Sequence, residues 1–137
     1  MSAEGDAGFE PRGALTLRTI AMPADTNPNG DIFGGWLMAQ MDLAGGSAAV
    51  KRARGRVVTV AVDAMSFHLP VYVGDEVSCY AEVVRVGNTS IRIHVETWVC
   101  RGVGTRHFKV TEGTFVYVAV DEQGRPRPVP PEAPEEA

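Results

Sequence analysis

Two aspartates are the residues of this sequence best placed to do chemistry. Asp42 lies seven residues after Gly35 within an otherwise apolar run, and Asp31 lies three residues before Gly34. A carboxylate among apolar neighbours must find hydrogen bonds, a partner charge or a water-filled cleft. In a cleft it can act as a general base or as a nucleophile. The alternatives are structural: Asp31 would be a helix N-cap, and Asp42 a carboxylate hydrogen-bonded across an interface.

The glycine pair Gly34-Gly35 predicts the start of the helix that carries Asp42. Glycine has no Cβ, so the backbone can come close to a ligand at this point. The backbone N–H groups of Gly35 and Trp36 lie at the positive end of the helix, and they are the expected donors to a developing oxyanion. A plain helix-entry turn is the alternative for this glycine pair.

The helix itself should run from the glycine pair to about Arg52, because no proline interrupts this segment. Apolar residues recur at helical spacing on one face (Leu37, Met41, Ala44, Ala48) and cover a second face (Trp36, Leu43, Val50). We therefore expect a helix that is buried almost all round. The internal Gly45-Gly46 pair, which costs ~1 kcal/mol per glycine relative to alanine, predicts close packing against another backbone, and a homodimer would supply it.

Strand-like segments surround this helix at 15–21, 56–62, 76–86, 90–100 and 108–120. Residues 56–62 are rich in β-branched side chains, so we expect a central strand buried on both faces, and 66–75 looks like a strand end and a loop. The order βαββββ predicts an α+β fold in which a curved, mostly antiparallel sheet of five to six strands wraps one long central helix. The domain should span 14–123, between a flexible lead-in at 1–13 and a disordered, Pro/Glu-rich tail at 124–137.

Composition restricts the function further. The chain has 137 residues, which suits one domain, and its net charge of -4 without a basic run argues against nucleic-acid binding. No apolar run is long enough to span a membrane, and no signal peptide is visible, so we expect a cytoplasmic protein without membrane partners. Cys79 and Cys100 lack metal-ligand spacing and should be reduced, and the three scattered histidines predict no metal site.

Four segments carry a resemblance to a known family: NGDIFGGWLMAQMD at 29–42, RVVTVAVD at 56–63, PVYVGD at 70–75 and TFVYVAVD at 114–121. Over about 15–130 the chain resembles the hotdog-fold acyl-CoA thioesterases of the YciA type. The resemblance implies hydrolysis of acyl-CoA to a free acid and coenzyme A. It also implies a homodimer at least, with a trimer of dimers (a hexamer) as the expected assembly.

The same resemblance implies roles for individual residues. Asp42 matches the catalytic carboxylate, and Asp31 matches a functional position that reaches the site from the other subunit. Coenzyme A contacts are implied for a strand and for a hairpin with its flanks: Thr59, Val60, Ala61, Val62, Arg85, Asn88, Thr89, Ser90 and Ile91. The hydroxyl of Thr59 would either assist the site or back the core. No cofactor is expected, because coenzyme A is part of the substrate and a product.

Two other functions remain open at this stage. A hotdog domain that binds acyl-CoA without hydrolysing it would act as a sensor. A dehydratase on the same fold would need a histidine near the helix, and His68, His94 and His107 are all distant from it in sequence. No G-x-S-x-G motif or Cys-His pair indicates a serine or cysteine hydrolase.

Overall fold

The computed structural model describes residues 10–132. One α-helix and five strands follow one another along the chain: β1 Ala14–Ile20, α1 Gly34–Ala53, β2 Val57–Phe67, β3 Glu76–Val86, β4 Ser90–Cys100 and β5 His107–Ala119. A short 3-10 turn, Pro23–Asp25, lies between β1 and α1. This order confirms the predicted βαββββ arrangement, with five strands.

The strands form one antiparallel sheet in the order β1-β3-β4-β5-β2. β4 lies at its centre, and half-buried and fully buried residues alternate along it from Ser90 to Val95. Ile91, Ile93 and Val95 are fully buried in the core that includes α1 residues Met41 and Ala44. The apolar face of a sheet and the apolar stripe of a helix therefore make the core together.

The helix begins at Gly34, with Phe33 as its N-cap, and ends where Arg54 takes a left-handed conformation with φ 55°. Its buried residues include Leu37, Met41 and Ala44 of the predicted inner face, whereas Ala48 is half-buried and its neighbour Ala49 is buried. The expectation that the helix is buried all round is wrong for the single chain, because Leu43 is 61% exposed and Val50 is also exposed. The residues of this outer face remain apolar, which is typical of a surface that another subunit covers.

β2 is an edge strand, so the prediction of a central strand buried on both faces is wrong. Its apolar residues Val58, Val60 and Val62 are exposed, and Val60 interrupts the register with β5. β-Branched residues favour a strand but do not specify its neighbours. A long apolar edge with unpaired backbone groups is a natural place for another strand to pair.

The ends of the described chain are tied to the domain. The backbone N–H of Arg12 donates to Glu96 Oε1 at 3.1 Å, although the lead-in was expected to be flexible. The predicted disorder from Gly124 onward does not hold for the described part of that segment. Val129 N donates to Asn88 O at 2.8 Å and Arg127 N to Ala119 O at 2.9 Å, because the polar backbone of this proline-rich stretch finds partners on the sheet end. Residues 1–9 and 133–137 lie outside the described residues.

Within the described residues, no helix is long and apolar enough to cross a membrane. Cys79 and Cys100 are both free, as expected.

Candidate active site

The carboxylate of Asp42 is held by two hydroxyl groups from the sheet. Thr59 Oγ1 donates to Asp42 Oδ1 at 2.8 Å, and Tyr117 OH lies 3.0 Å from the same oxygen. The Tyr117 hydroxyl is also 3.0 Å from the backbone oxygen of Asp42, so its proton is shared between two acceptors of one residue. Thr59 and Tyr117 are cross-strand partners on β2 and β5, which places both hydroxyls beneath the helix at the same level.

Tyr117 is a site residue that the sequence analysis does not predict. Its surroundings determine the protonation state of its phenol. The side chain is only 1% exposed, and burial raises the pKa of the phenol, with further increases from the negative charge of Asp42 and the hydrogen bond to it. The phenol therefore remains a neutral donor throughout the working range of an enzyme. The Gly45-Gly46 pair is the sequence feature that indicates a large side chain close to the helix here, because a Cβ on Gly45 would overlap the Tyr117 hydroxyl. The close approach predicted for this pair is thus to a tyrosine ring of the same chain.

A cleft of about 430 Å³ opens beside Asp42. Its lining combines Asp42, Thr59 and Tyr117 with apolar residues of the exposed helix face, Leu43 and Val50, and with one cation, Lys51. Such a mixture of an apolar wall and a few convergent polar groups is typical of a small-molecule site. The structure therefore favours a cleft role for Asp42 over burial in the core.

Asp31 lies in a different cavity of the same chain, with a volume of about 360 Å³. Asn27 Oδ1 accepts from the backbone N–H of Asp31 at 3.1 Å, which closes the loop that carries this aspartate. The N-cap alternative for Asp31 is wrong, because Phe33 occupies that position. Gly34 lines the cavity of Asp31, and this cavity shares no lining residue with the Asp42 cleft, so the two aspartates of one chain line separate cavities.

The two predicted oxyanion donors differ in availability. The backbone N–H of Trp36 donates to Phe33 O at 3.1 Å, so it is already engaged within the first turn of the helix. Gly35 is the second residue of the helix, and such a residue has no intrahelical acceptor for its N–H. A Cβ at Gly35 would meet nothing within 4 Å, which shows open space beside its backbone. The geometry supports Gly35 as a donor and disfavours Trp36.

The residues predicted to contact coenzyme A lie at one end of the sheet, but in two groups. Thr59 is paired with Tyr117 on β5, and Tyr117 is paired in turn with Ile91 on β4. Two strand spacings, about 10 Å, therefore separate the β2 group from the hairpin group. Val60, Ala61 and Val62 belong to the edge strand, where backbone groups face outward.

The hairpin group is more constrained than the sequence indicates. Ile91 is fully buried, so its side chain belongs to the core and is excluded from ligand contact. Asn88 O accepts from Val129 N and Thr89 O from Ala119 N, so both carbonyls already have partners. Gly87 N donates to Ser90 O at 2.8 Å, which closes the turn. Arg85 remains exposed on β3 beside this turn.

Two of the histidines gather around carboxylates, which their sequence spacing does not reveal. His94 Nε2 is 3.1 Å from Glu96 Oε2, and His68 Nε2 is 2.9 Å from Glu112 Oε2. Glu96, Glu112 and His94 place ligand atoms within 4.8 Å of one another, but Lys109 Nζ lies 3.1 Å from Glu112 and supplies a cation there. Burial raises the pKa of Glu96, but hydrogen bonds from Trp98, Arg12 and His94 outweigh it and lower that pKa overall.

Comparison with known proteins identifies the family. Residues 29–102 match the thioesterase superfamily model. The acyl-CoA thioester hydrolase YciA of Salmonella typhimurium is 58% identical over 124 residues, covering 88% of this chain and 92% of the relative.

Solved structures agree in fold. An alanine variant of HI0827, a hexameric broad-specificity acyl-coenzyme A thioesterase, superposes with a TM-score of 0.85 at 51% identity, over 88% of this chain and 89% of its own. An acyl-CoA hydrolase from Staphylococcus aureus, in complex with butyryl coenzyme A and coenzyme A, gives 0.79 at 30% identity, over 88% and 74%. The matched model, the curated relative and the shared fold together show that this chain belongs to the hotdog-fold thioesterase superfamily, among the YciA-type acyl-CoA thioester hydrolases.

Proposed function

We propose that this chain hydrolyses acyl-CoA thioesters to a free carboxylic acid and coenzyme A, with Asp42 as the catalytic carboxylate. The observation that carries this proposal is the carboxylate itself, which Thr59 and Tyr117 hold at the edge of an apolar cleft of about 430 Å³. The acyl-CoA thioesterase activities of the relatives support the substrate class.

In the proposed reaction Asp42 acts on water. The carboxylate takes a proton from water while the water oxygen forms a bond to the thioester carbonyl carbon, and the carbonyl oxygen becomes an oxyanion. Collapse of this intermediate breaks the carbon–sulfur bond, and the thiolate of coenzyme A recovers the proton from Asp42. Direct attack by the carboxylate, which would form a mixed anhydride for water to hydrolyse, is the alternative route. Neither route needs a cofactor beyond the substrate.

We assign the oxyanion donor to the backbone N–H of Gly35, and this choice leads to a shared site. Gly34 and Asp31 border one cavity, whereas Asp42 and Thr59 border another cavity of the same chain. The chemistry needs the donor and the base on one carbonyl group. We therefore propose that each active site takes Asp42 from one subunit and Asp31 with Gly35 from the partner subunit, Asp31 orienting the substrate or the water.

The exposed apolar surface supports this assembly. Val58, Val60 and Val62 on the edge strand, and Leu43 and Val50 on the helix, are all exposed in the single chain. Pairing of β2 with a second copy would cover the edge strand and its unpaired backbone. We propose a homodimer with this interface and a trimer of dimers as the complete assembly, consistent with the hexameric relatives.

Coenzyme A would then bind across the sheet end. The part of Val60 to Val62 left open beside the subunit interface would contact the pantetheine, and the exposed part of the Asn88–Ser90 turn would contact the remainder. Lys51 lines the Asp42 cleft and is available to a phosphate, whereas Arg52 Nη1 already donates to Pro130 O at 2.6 Å. We propose a reducing compartment such as the cytoplasm, in line with two free cysteines.

The experiment is release of free thiol from acyl-CoAs of short to long chain by the wild type and by Asp42→Asn. We expect turnover by the wild type and a loss of at least a hundredfold in kcat for the variant, because the base is gone while the size of the side chain is kept.

Asp63→Asn is the matched control, because Asp63 is another half-buried carboxylate, which lies on β2 and pairs with Arg92 of β4 at 3.0 Å. It should retain turnover. Near-normal kcat in Asp42→Asn would contradict the assignment, and acyl-CoA bound by the wild type without any hydrolysis would indicate the sensor function instead.

A further inference from the structure

The two oxygens of the Asp42 carboxylate are in different environments. Oδ1 accepts from Thr59 Oγ1 at 2.8 Å and from Tyr117 OH at 3.0 Å. Among residues 10–132 no side chain donates to Oδ2. A carboxylate oxygen with two donors has little remaining capacity to accept a proton, whereas the other oxygen keeps its lone pairs. The hydrogen bonds therefore distinguish one oxygen from the other.

Tyr117 is a fixed part of this arrangement. Its ring is enclosed between β4 and β2 and lies against the helix backbone at Gly45, with no room there for a Cβ. Its hydroxyl is directed at Asp42 O and Asp42 Oδ1, so the same side chain links the carboxylate to the helix backbone. A buried donor of this kind fixes the orientation of its acceptor with little side-chain freedom.

We infer that Tyr117 is a positioning residue for the thioesterase reaction: with Thr59 it holds Oδ1 of Asp42, and Oδ2 is thereby the oxygen that acts on water or on the thioester. The inference rests on the proposed function and adds to it a residue and an atom. We place its action through Asp42, because its hydroxyl is already shared between two oxygens of that residue.

A role in positioning makes a specific kinetic prediction for Tyr117→Phe. The ring and its packing remain, but Asp42 loses one donor, so the carboxylate samples unproductive orientations. We expect kcat to fall at least fivefold while KM changes by less than twofold.

The control is Tyr80→Phe, which removes a tyrosine hydroxyl from β3, away from the Asp42 cleft. It should leave kcat and KM as in the wild type. Thr59→Val is a second test variant, which removes the other hydrogen-bond donor to Asp42 Oδ1. Because Thr59 is an exposed strand residue, this substitution should lower kcat without unfolding the protein. In the double variant Tyr117→Phe/Thr59→Val, the fall in kcat should exceed that of either single variant.

The outcomes separate this inference from the proposed function. A folded Tyr117→Phe enzyme with kcat within twofold of the wild type would overturn the inference, even if Asp42→Asn is inactive. If Tyr117→Phe does not fold, an unchanged kcat in Thr59→Val would overturn it. Absence of thiol release by the wild type would instead overturn the proposed function.

Discussion

Gly45→Ala should damage the protein at one defined contact, although alanine is the better helix former. A Cβ at Gly45 would overlap the Tyr117 hydroxyl and lie 3.2 Å from ring atoms Cε1 and Cζ. Tyr117 is buried within the sheet, so it can make room only by leaving its hydrogen bonds to Asp42.

The expected magnitude follows from three opposing effects. Replacing glycine with alanine inside a helix gains ~1 kcal/mol in helix propensity. Overpacking of a filled core costs ~1–3 kcal/mol. Loss of a hydrogen bond to a charged group costs a further ~1.5–3 kcal/mol. The free energy of unfolding of Gly45→Ala should therefore fall by roughly 1.5–5 kcal/mol.

Gly46→Ala is the matched control on the next residue. Its Cβ would lie 3.7 Å from Cε2 of the same tyrosine, which is ordinary van der Waals contact. Only the propensity gain should remain, about 1 kcal/mol of stabilisation.

The assay is urea unfolding of both variants and the wild type at one fixed chain concentration, because the stability of an oligomer depends on concentration. Gly45→Ala with the same stability as Gly46→Ala would refute the packing that we describe around Tyr117.

Two further predictions concern the core and the C-terminal segment. Burial raises the pKa of the Cys79 thiol to about 11 from 9.0. Stability should therefore be retained up to about pH 9 and decrease as the pH rises toward 11, because the thiol of the unfolded chain ionises first. Cys79→Ala should lose this decrease in thermal unfolding scans, and an unchanged alkaline decrease would contradict the assignment. Arg127→Ala should lower the free energy of unfolding by about 1–3 kcal/mol, because Arg127 donates to Val120 O at 3.1 Å and to Ala53 O at 3.0 Å. Arg125 is highly exposed, so Arg125→Ala should change the free energy of unfolding by close to zero. Equal effects of the two variants in urea unfolding would show that these hydrogen bonds do not hold the C-terminal segment.

The local pattern predicted most of the fold. The strand-like segment at 90–100 and the apolar spacing around Leu37 and Met41 each depend on residues close together in the chain, so they can be recognised in a single sequence. The placement of β2 does not follow from its own composition. Three of its valines are exposed at the edge of the sheet in the single chain, and the same composition fits a central strand equally well.

Only the part of the site that depends on local sequence could be predicted. Asp42 is visible as a carboxylate in an apolar helix, but Tyr117 is 75 residues away and reads as one more aromatic residue of a strand. Only the sheet register, which pairs Tyr117 with Thr59, brings it under the helix. Trp36 was chosen as an oxyanion donor from its position, and the tight first turn, in which its N–H reaches Phe33 O, could not be read from residue types.

The shared active site is the central claim, and mixing of inactive subunits tests it most directly. We expect Asp31→Asn and Asp42→Asn to be inactive when each is purified alone. In an isologous dimer, a mixed pair has one site with both native aspartates and one site with neither. Co-expression in equal amounts gives mixed pairs in about half of the dimers, so about a quarter of wild-type thiol release should return. Activity no higher than the sum of the two parents, or a fully active Asp31→Asn protein, would contradict a site built from two subunits.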